Sequence, residues 1–292
     1  MRTITFSLSL ALLTAPILQP APLNSGRPES VGISAERLQR VNALVQRHLA
    51  QGNIAGAITA VVRRGTIVHF DTHGVMDLEK KTPMRKDAIF RLASMTKPLT
   101  SIAVMMLHEE GRFLLTDPVA KFLPEFRMTP VAVPHQPHQR GGEGYTLMPA
   151  ERPITIQHLL SHTAGLASGT SGPTMQLAAK LAADRKASDT LADYIARLAE
   201  LPLNFQPGTA WEYGPATDVL GRLVEVVSGQ SLDEFFRTRI LNPLGMKDTH
   251  FYLPAAKMDR LASAYKQGTD SKLEKLQPSR HEDPNGKFYS GG

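Results

Sequence analysis

The chain has 292 residues, of which 42% are hydrophobic and 21% charged, a composition typical of a soluble globular protein and not of disordered or collagen-like chains. It contains no cysteine, which excludes disulfides, cysteine-ligated metals and a thiol nucleophile. The net charge of +6 is spread along the chain without an alternating aromatic and basic stripe, so we interpret it as solvated surface and expect no nucleic-acid partner.

Residues 1–22 have the pattern of a secretory signal peptide. Arg2 precedes an apolar run from Ile4 to about Leu18, which is shorter than the roughly 20 residues that span a bilayer. The alternative is a buried N-terminal helix. The cleavage site is ambiguous because Ala15 and Ala21 are each followed by proline. We expect a periplasmic or secreted protein, with no stable membrane insertion once the signal is removed.

The elements that follow alternate between helical and strand patterns. An amphipathic helix is predicted from the N-cap Ser34 to Gly52, and then a β-hairpin that turns at Arg64 and Gly65. Helical patterns then cover 96–110, 155–162, 174–186, 188–200 and 216–228. A further helix begins at Ser231, where SLDE forms a capping box with Glu234.

This order predicts an α+β protein. We expect one domain over 23–292, with a sheet part formed by 30–90 and 251–292 and a helical part, 91–250, inserted into it. Within the helical part, 131–149 reads as two short strands joined by a polar loop. His135 and His138 in that loop are weak metal candidates, because no third ligand has useful spacing.

Two near-identical segments contain a serine followed three residues later by a lysine. They are RLASMTK at 91–97 and RLASAYK at 260–266. With 17 serines and 13 lysines in the chain, chance alone predicts about 0.8 such pairs, so the spacing decides nothing by itself.

Local context favours Ser94 over Ser263. Ser94 begins an amphipathic helical segment, where Lys97 shares a face with it and the free N–H groups and positive dipole end can stabilise an oxyanion. After Ser263, the periodicity ends at Gly268, and nothing would orient Lys266. We expect that second segment to be a short strand or turn with a structural Tyr265.

A serine and a lysine need a third group, because a lysine is protonated at neutral pH and is a poor base. The candidate is Tyr213, in a loop just before a helix, whose phenol could relay the serine proton if nearby cations lower its pKa. A packing role beside Trp211 is the alternative at this point.

Three segments together resemble the serine β-lactamase-like hydrolases, which include class C β-lactamases, D-alanyl-D-alanine carboxypeptidases and family VIII carboxylesterases. They are FRLASMTKPLTSIAVMMLHEEGRFLLTDPVAKFLPEF, RPITIQHLLSHTAGL, and PGTAWEYGPATDVLGRLVEVVSGQSLDEFFRTRILNPLGMKDTHF. The resemblance implies that Ser94 is the acylated nucleophile, Lys97 its activating partner and Tyr213 the shared general base. It implies no cofactor.

The resemblance also bears on two other motifs. His158 and His162 lie four apart and could suggest zinc, but in relatives this segment looks structural and no third ligand is visible. The G-x-S-x-G elbow of α/β-hydrolases is absent from the sequence.

Two departures from the family pattern refine the expectation. β-Lactamases and carboxypeptidases of this group carry an amide-binding asparagine two residues after the tyrosine, where this chain has Pro215. A late-strand motif, a lysine, histidine or tryptophan before a small residue and glycine, does not appear before Gly292. We therefore expect the chain to be incomplete at its C-terminus, with a sheet reduced to its first hairpin, low stability and weak activity.

These observations predict a serine hydrolase that cleaves small carboxylic esters or lactones through an acyl-enzyme on Ser94. The alternatives are a β-lactamase or D-alanyl-D-alanine carboxypeptidase, and a non-catalytic penicillin- or peptidoglycan-binding protein. We make no prediction of oligomeric state.

Overall fold

The computed structural model describes residues 23–135, 144–277 and 286–292. The expected signal peptide and His138 lie outside these residues. Within them, no helix is both long enough and apolar enough to cross a bilayer.

The elements follow the predicted order, and the α+β class is confirmed. The strands are β1 (Asn24–Ser25), β2 (Gly56–Arg63), β3 (Thr66–Asp77), β4 (Thr82–Pro83), β5 (Val131–Pro134), β6 (Tyr145–Met148), β7 (Tyr265–Gln267) and β8 (Leu273–Lys275). The α-helices are α1 (Ala35–Ala50), α2 (Lys97–Glu109), α3 (Ile156–Leu160), α4 (Met175–Ala183), α5 (Leu191–Ala199), α6 (Ala216–Ser228) and α7 (Leu232–Phe236).

The first helix and the hairpin form for local reasons. The Ser34 side chain caps α1 by accepting a hydrogen bond from the Arg37 N–H at 3.2 Å. Between β2 and β3, Arg64 and Gly65 both have positive φ, 51° and 71°, as a two-residue type I′ turn requires. The long antiparallel hairpin then packs against α1.

The sheet has more strands than the expected hairpin. Its order is β1-β3-β2, with β1 parallel to β3, and β4 also pairs antiparallel with β3. Each added strand is only two residues long, so a pattern of alternating residues could not reveal it. The β7–β8 hairpin is joined to β3, because Ser263 and Lys275 both donate hydrogen bonds to the Asp77 carboxylate.

Most of the apolar core lies among the helices. Helices α2, α3, α5, α6 and α7 contribute fully buried side chains to one cluster, and α2 packs lengthwise against α6. The sheet has a separate small cluster of Met76, Met84 and Ala262. The helical part therefore supplies the rigid frame on which the N-terminal ends of α2 and α6 are held together.

Three details differ from the sequence expectations. Helix α5 begins at Leu191 rather than near 188, because Thr190 and Asp193 form a reciprocal capping box. At α7, Ser231 accepts from the Glu234 N–H, but the Glu234 carboxylate bonds Arg237 instead of completing the expected box. Residues 286–292, which we expected in the sheet part, contact the helices instead, where Phe288 is buried in the helical core.

Candidate active site

Ser94 is held in a tight turn that leads directly into α2. The turn is a 3-10 helix, Ala93–Thr96, and Pro98 occupies the first turn of the α-helix that follows. Ala93 has a φ of 45°, a left-handed conformation that is rare for a residue other than glycine. The chain enters the turn sharply, and the Ser94 side chain is exposed at its surface.

Tyr213 reaches the same place from the loop before α6. The Pro215 carbonyl accepts the first hydrogen bonds of the helix, from the Asp218 and Val219 N–H groups. The buried Ser168 hydroxyl donates to the Tyr213 carbonyl at 3.2 Å. Helices α2 and α6 pack together, and the phenol before α6 contacts the serine before α2.

The structure brings Ser94, Lys97 and Tyr213 into contact. The Ser94 Oγ lies 2.6 Å from the Tyr213 hydroxyl and 3.3 Å from the Lys97 Nζ. The same ammonium lies 4.7 Å from the centre of the phenol ring. The Ser94 hydroxyl, the Tyr213 phenol and the Lys97 ammonium therefore form one continuous group of contacts.

The groups around Tyr213 favour the ionised form of its phenol. Hydrogen bonding to Lys97 and then to Ser94 lowers the pKa of the Tyr213 phenol below its usual value of 10. A larger fraction of phenolate at neutral pH can accept the serine proton. The arrangement is thus suited to nucleophilic attack by Ser94 on a carbonyl carbon.

The second Ser-x-x-Lys segment has a structural arrangement. The Ser263 hydroxyl donates to Asp77 at 2.8 Å, while Lys266 pairs with Glu274 across the β7–β8 hairpin. Tyr265 accepts a hydrogen bond from the Leu78 N–H at 2.8 Å. Serine and lysine are engaged with different acidic partners, so this copy does not assemble a nucleophile.

The histidines considered as metal ligands have other neighbours. The His158 Nδ1 accepts from the Thr155 N–H in the capping box of α3, and His135 lies 2.9 Å from the Thr146 hydroxyl. His162 stacks on Tyr213. No group of three or more potential ligands is assembled within 23–135, 144–277 and 286–292.

Sequence reasoning missed two residues beside the site. His162 was interpreted as structural, yet its ring contacts Tyr213. Asp218 was not singled out, yet its carboxylate binds Ser290 and Gly291, and the Gly292 backbone adjoins the Lys97 ammonium. An acidic residue inside the apolar pattern of α6 is the one sequence signal that could have indicated Asp218.

A cavity of about 630 Å³ opens beside the serine turn. Its lining includes Ala93 and Thr96, on either side of the nucleophile, and apolar side chains such as Leu99 and Phe251. The Ser94 side chain is not part of that lining and lies against Tyr213 instead. The cavity therefore lies beside the Ser94 hydroxyl and does not contain it.

The fold and the contacts among Ser94, Lys97 and Tyr213 can be compared with known protein families. The beta-lactamase family model matches residues 41–290. The chain belongs to the beta-lactamase family.

Similar proteins are described as an esterase, a hydrolase and a synthase. Esterase EstB of Burkholderia gladioli is 35% identical over 246 residues, which cover 82% of this chain and 58% of EstB. The solved structure of EstCE1, a hydrolase with promiscuous acyltransferase activity, matches with a TM-score of 0.69 and 32% identity over 82% of this chain and 59% of that one. Simvastatin synthase from Aspergillus terreus matches with a TM-score of 0.70 and 26% identity, over 89% of this chain and 64% of that one. The chain spans between half and two thirds of the length of these relatives.

Proposed function

We propose that this protein is a serine carboxylesterase that acts through an acyl-enzyme on Ser94. The observation that carries the proposal is the 2.6 Å contact between the Ser94 Oγ and the Tyr213 hydroxyl, with the Lys97 ammonium 3.3 Å from the same Oγ. The relatives described as esterases support the same reaction class.

The proposed reaction proceeds in two halves. Tyr213, as phenolate, takes the Ser94 proton while the Oγ attacks the ester carbonyl carbon, and the Lys97 cation stabilises the charge on the phenol oxygen. The tetrahedral intermediate collapses, and the leaving alkoxide takes the proton from Tyr213. Water then attacks the acyl-enzyme with Tyr213 again accepting the proton, and the carboxylic acid leaves as Ser94 recovers its hydrogen.

One feature supports esters over amides as substrates, and a second supports an apolar substrate. Pro215 stands where the related β-lactamases carry an amide-binding asparagine, and its side chain offers neither donor nor acceptor. Met95 and Trp211 have 70% and 66% of their surface exposed, and each is within two residues of a proposed catalytic group. Exposed apolar side chains at the reactive group suit an apolar acyl or alcohol portion.

The substrate class is tested by a ratio of two rates. Hydrolysis of a short-chain p-nitrophenyl ester and of a chromogenic cephalosporin are measured on one preparation, with Ser94→Ala as the blank. Both rates are measured on the same enzyme, so their ratio reports the substrate preference and does not depend on the absolute turnover. We expect the ester to be cleaved much faster.

Other outcomes would replace the proposal. Equal or faster cephalosporin turnover would indicate a β-lactamase, and release of D-alanine from a peptide ending in D-alanyl-D-alanine would indicate a carboxypeptidase. Stoichiometric acylation by penicillin without turnover of either substrate would indicate a binding protein.

We also propose export to the periplasm or the medium, supported by the charge and apolar pattern of residues 1–22. Fractionation of cells that produce the full chain tests this. Recovery of an unprocessed chain from the cytoplasm would overturn it.

A further inference from the structure

His162 is a titratable side chain beside the candidate active site to which the proposed reaction assigns no part. Its imidazole stacks on the Tyr213 phenol, with ring centres 5.2 Å apart and planes inclined by 25°. Trp211 meets the same imidazole edge-to-face, with centres 6.3 Å apart at 62°. The imidazole therefore has one aromatic neighbour stacked on it and a second in edge contact.

We propose that His162 is a positioning residue, whose flat ring holds the Tyr213 phenol in line with Ser94. The inference rests on the proposed function, because it assigns His162 a part in the same proton transfer. The described ring contacts of His162 are with Tyr213 and Trp211, so it acts on Ser94 through Tyr213.

The backbone supports this placement independently of the rings. His162 follows the last turn of α3 with a φ of 56°, a left-handed conformation that glycine and asparagine adopt more readily. Its carbonyl accepts a hydrogen bond from the Glu212 N–H at 3.0 Å, directly before Tyr213. The two segments are thus tied by one backbone bond and one ring contact, which together limit both translation and tilt of the phenol.

No hydrogen bond at the buried Nδ1 explains the position of the imidazole. The Nδ1 is buried without a hydrogen-bond partner among the described residues. If the role of this histidine were hydrogen bonding, its buried nitrogen would have a hydrogen-bond partner. The feature that the site uses is therefore the ring face, and an apolar ring of similar shape should replace it.

The surroundings also keep the imidazole neutral. Burial, and next the positive charge of Lys97, lower the pKa of His162 below its ordinary value of 6.5. The Glu212 carboxylate accepts hydrogen bonds from Ser171 and Asn204. An uncharged ring can stack on the phenol without opposing the Lys97 cation.

The test compares two substitutions with opposite properties. His162→Asn suits the left-handed backbone but has no ring, whereas His162→Phe keeps a flat ring without nitrogen. His158→Gln, one turn earlier, is the control for losing a histidine from this segment. The readouts are kcat and KM for the p-nitrophenyl ester, and the rate of Ser94 labelling by a fluorophosphonate.

We expect His162→Asn to lower kcat and the labelling rate by about 10- to 100-fold, the loss expected from misplacing a catalytic group by a fraction of an ångström to an ångström. KM should change less than about twofold, since the ring does not bind substrate directly. His162→Phe should recover most of the wild-type rate. Equal loss in both variants, or a wild-type rate in the asparagine variant, would overturn the proposal.

A double substitution tests whether His162 acts through Tyr213. His162→Asn in a Tyr213→Phe background should cost nothing further, because the group being positioned has already lost its hydroxyl. Losses that multiply would assign His162 an independent role and overturn the proposal.

A third readout does not depend on activity. In protein with ¹³C-labelled tyrosine, the Tyr213 ring signals, identified by their loss in Tyr213→Phe, should shift in His162→Asn and remain close to wild type in His162→Phe. Unchanged signals in the asparagine variant would overturn the positioning role. If this ring contact is found but no ester turnover or Ser94 labelling occurs, the proposed function fails while the contact between His162 and Tyr213 stands.

Discussion

The Asp218 carboxylate accepts a hydrogen bond from the Ser290 hydroxyl at 2.6 Å and joins α6 to the segment 286–292. It also accepts from the Gly291 N–H at 3.0 Å. Burial raises the pKa of Asp218, and these hydrogen bonds and the Lys97 charge offset only part of that effect. The Asp218 carboxylate therefore holds the segment 286–292 against α6 and beside Lys97.

Asp218→Asn should change how stability depends on pH. The folded pKa lies above the ordinary value of 3.8, so the folded state holds the proton more tightly and wild-type stability falls as pH rises from 3.8 through the folded pKa. Asparagine keeps an acceptor oxygen without the charge. The free energy of unfolding of the variant, minus that of wild type, should therefore be larger at pH 7 than at pH 4. Urea unfolding of both proteins at several pH values measures this difference.

Asp218→Ala is the control for this prediction. It leaves the buried Gly291 N–H without its acceptor, which costs about 1–3 kcal/mol. We expect it to be less stable than the asparagine variant at every pH. Parallel pH curves for wild type and Asp218→Asn would contradict the assignment of a raised pKa.

Substitutions at the candidate site should separate its three roles. Ser94→Ala should abolish labelling by a fluorophosphonate probe. Lys97→Ala and Tyr213→Phe should each slow labelling at least about a hundredfold, the lower range for a positioned acid–base group. Mass spectrometry of the labelled peptide identifies the modified serine.

Ser263→Ala is the matched control, because that serine also precedes a lysine by three residues. Labelling should be unchanged, while the free energy of unfolding should fall by about 1.5–3 kcal/mol through loss of the hydrogen bond to the Asp77 carboxylate. Loss of labelling in a folded Ser263→Ala protein would reverse the choice of nucleophile.

His158 should make the protein less stable in mild acid. Burial lowers the pKa of His158 below 6.5, so the unfolded state binds protons more readily, and stability is lost as pH falls from 6.5 through the folded pKa. His158→Gln can still accept from the Thr155 N–H and does not titrate. Its melting temperature should decline less than that of wild type between pH 6.5 and 4.5, and equal declines would refute the prediction.

The helical core should be sensitive to the loss of a single ring. Phe235 is 1% exposed, and Phe235→Ala should lower the free energy of unfolding by about 3–5 kcal/mol. Met128 is 85% exposed, and Met128→Ala should change it by less than about 0.5 kcal/mol. Chemical denaturation measures both, and similar losses would place Phe235 outside the core.

Local features were predictable from the sequence because their causes are local. The Ser34 cap and the turn at Arg64 and Gly65 depend on residues within one or two positions of each other, and both appear as expected. The two-residue strands β1 and β4 were not predictable, because they exist only as partners of β3. The packing of 286–292 against the helices was not predictable either, because it depends on Asp218, which lies far earlier in the chain.

The candidate site also combines contacts that follow from local sequence with contacts between distant parts of the chain. Lys97 follows Ser94 by three residues, so their shared face follows from helical geometry. Tyr213 lies 119 residues further on, and only the family resemblance linked it to Ser94 before the structure did. His162 escaped prediction because its contact arises from two loops that meet in space, and no sequence spacing encodes that meeting.

The separation of the two apolar clusters has a consequence for how activity is lost. Every residue of the candidate site lies in or directly beside α2, α3 or α6, and these helices all bury side chains in the helical cluster. The hairpin instead packs on the small cluster of Met76, Met84 and Ala262. Regions with few buried contacts open first and exchange their amide hydrogens sooner. Slow-exchanging amides should therefore concentrate in α2 and α6. The strands can open locally while Ser94 and Tyr213 remain in contact.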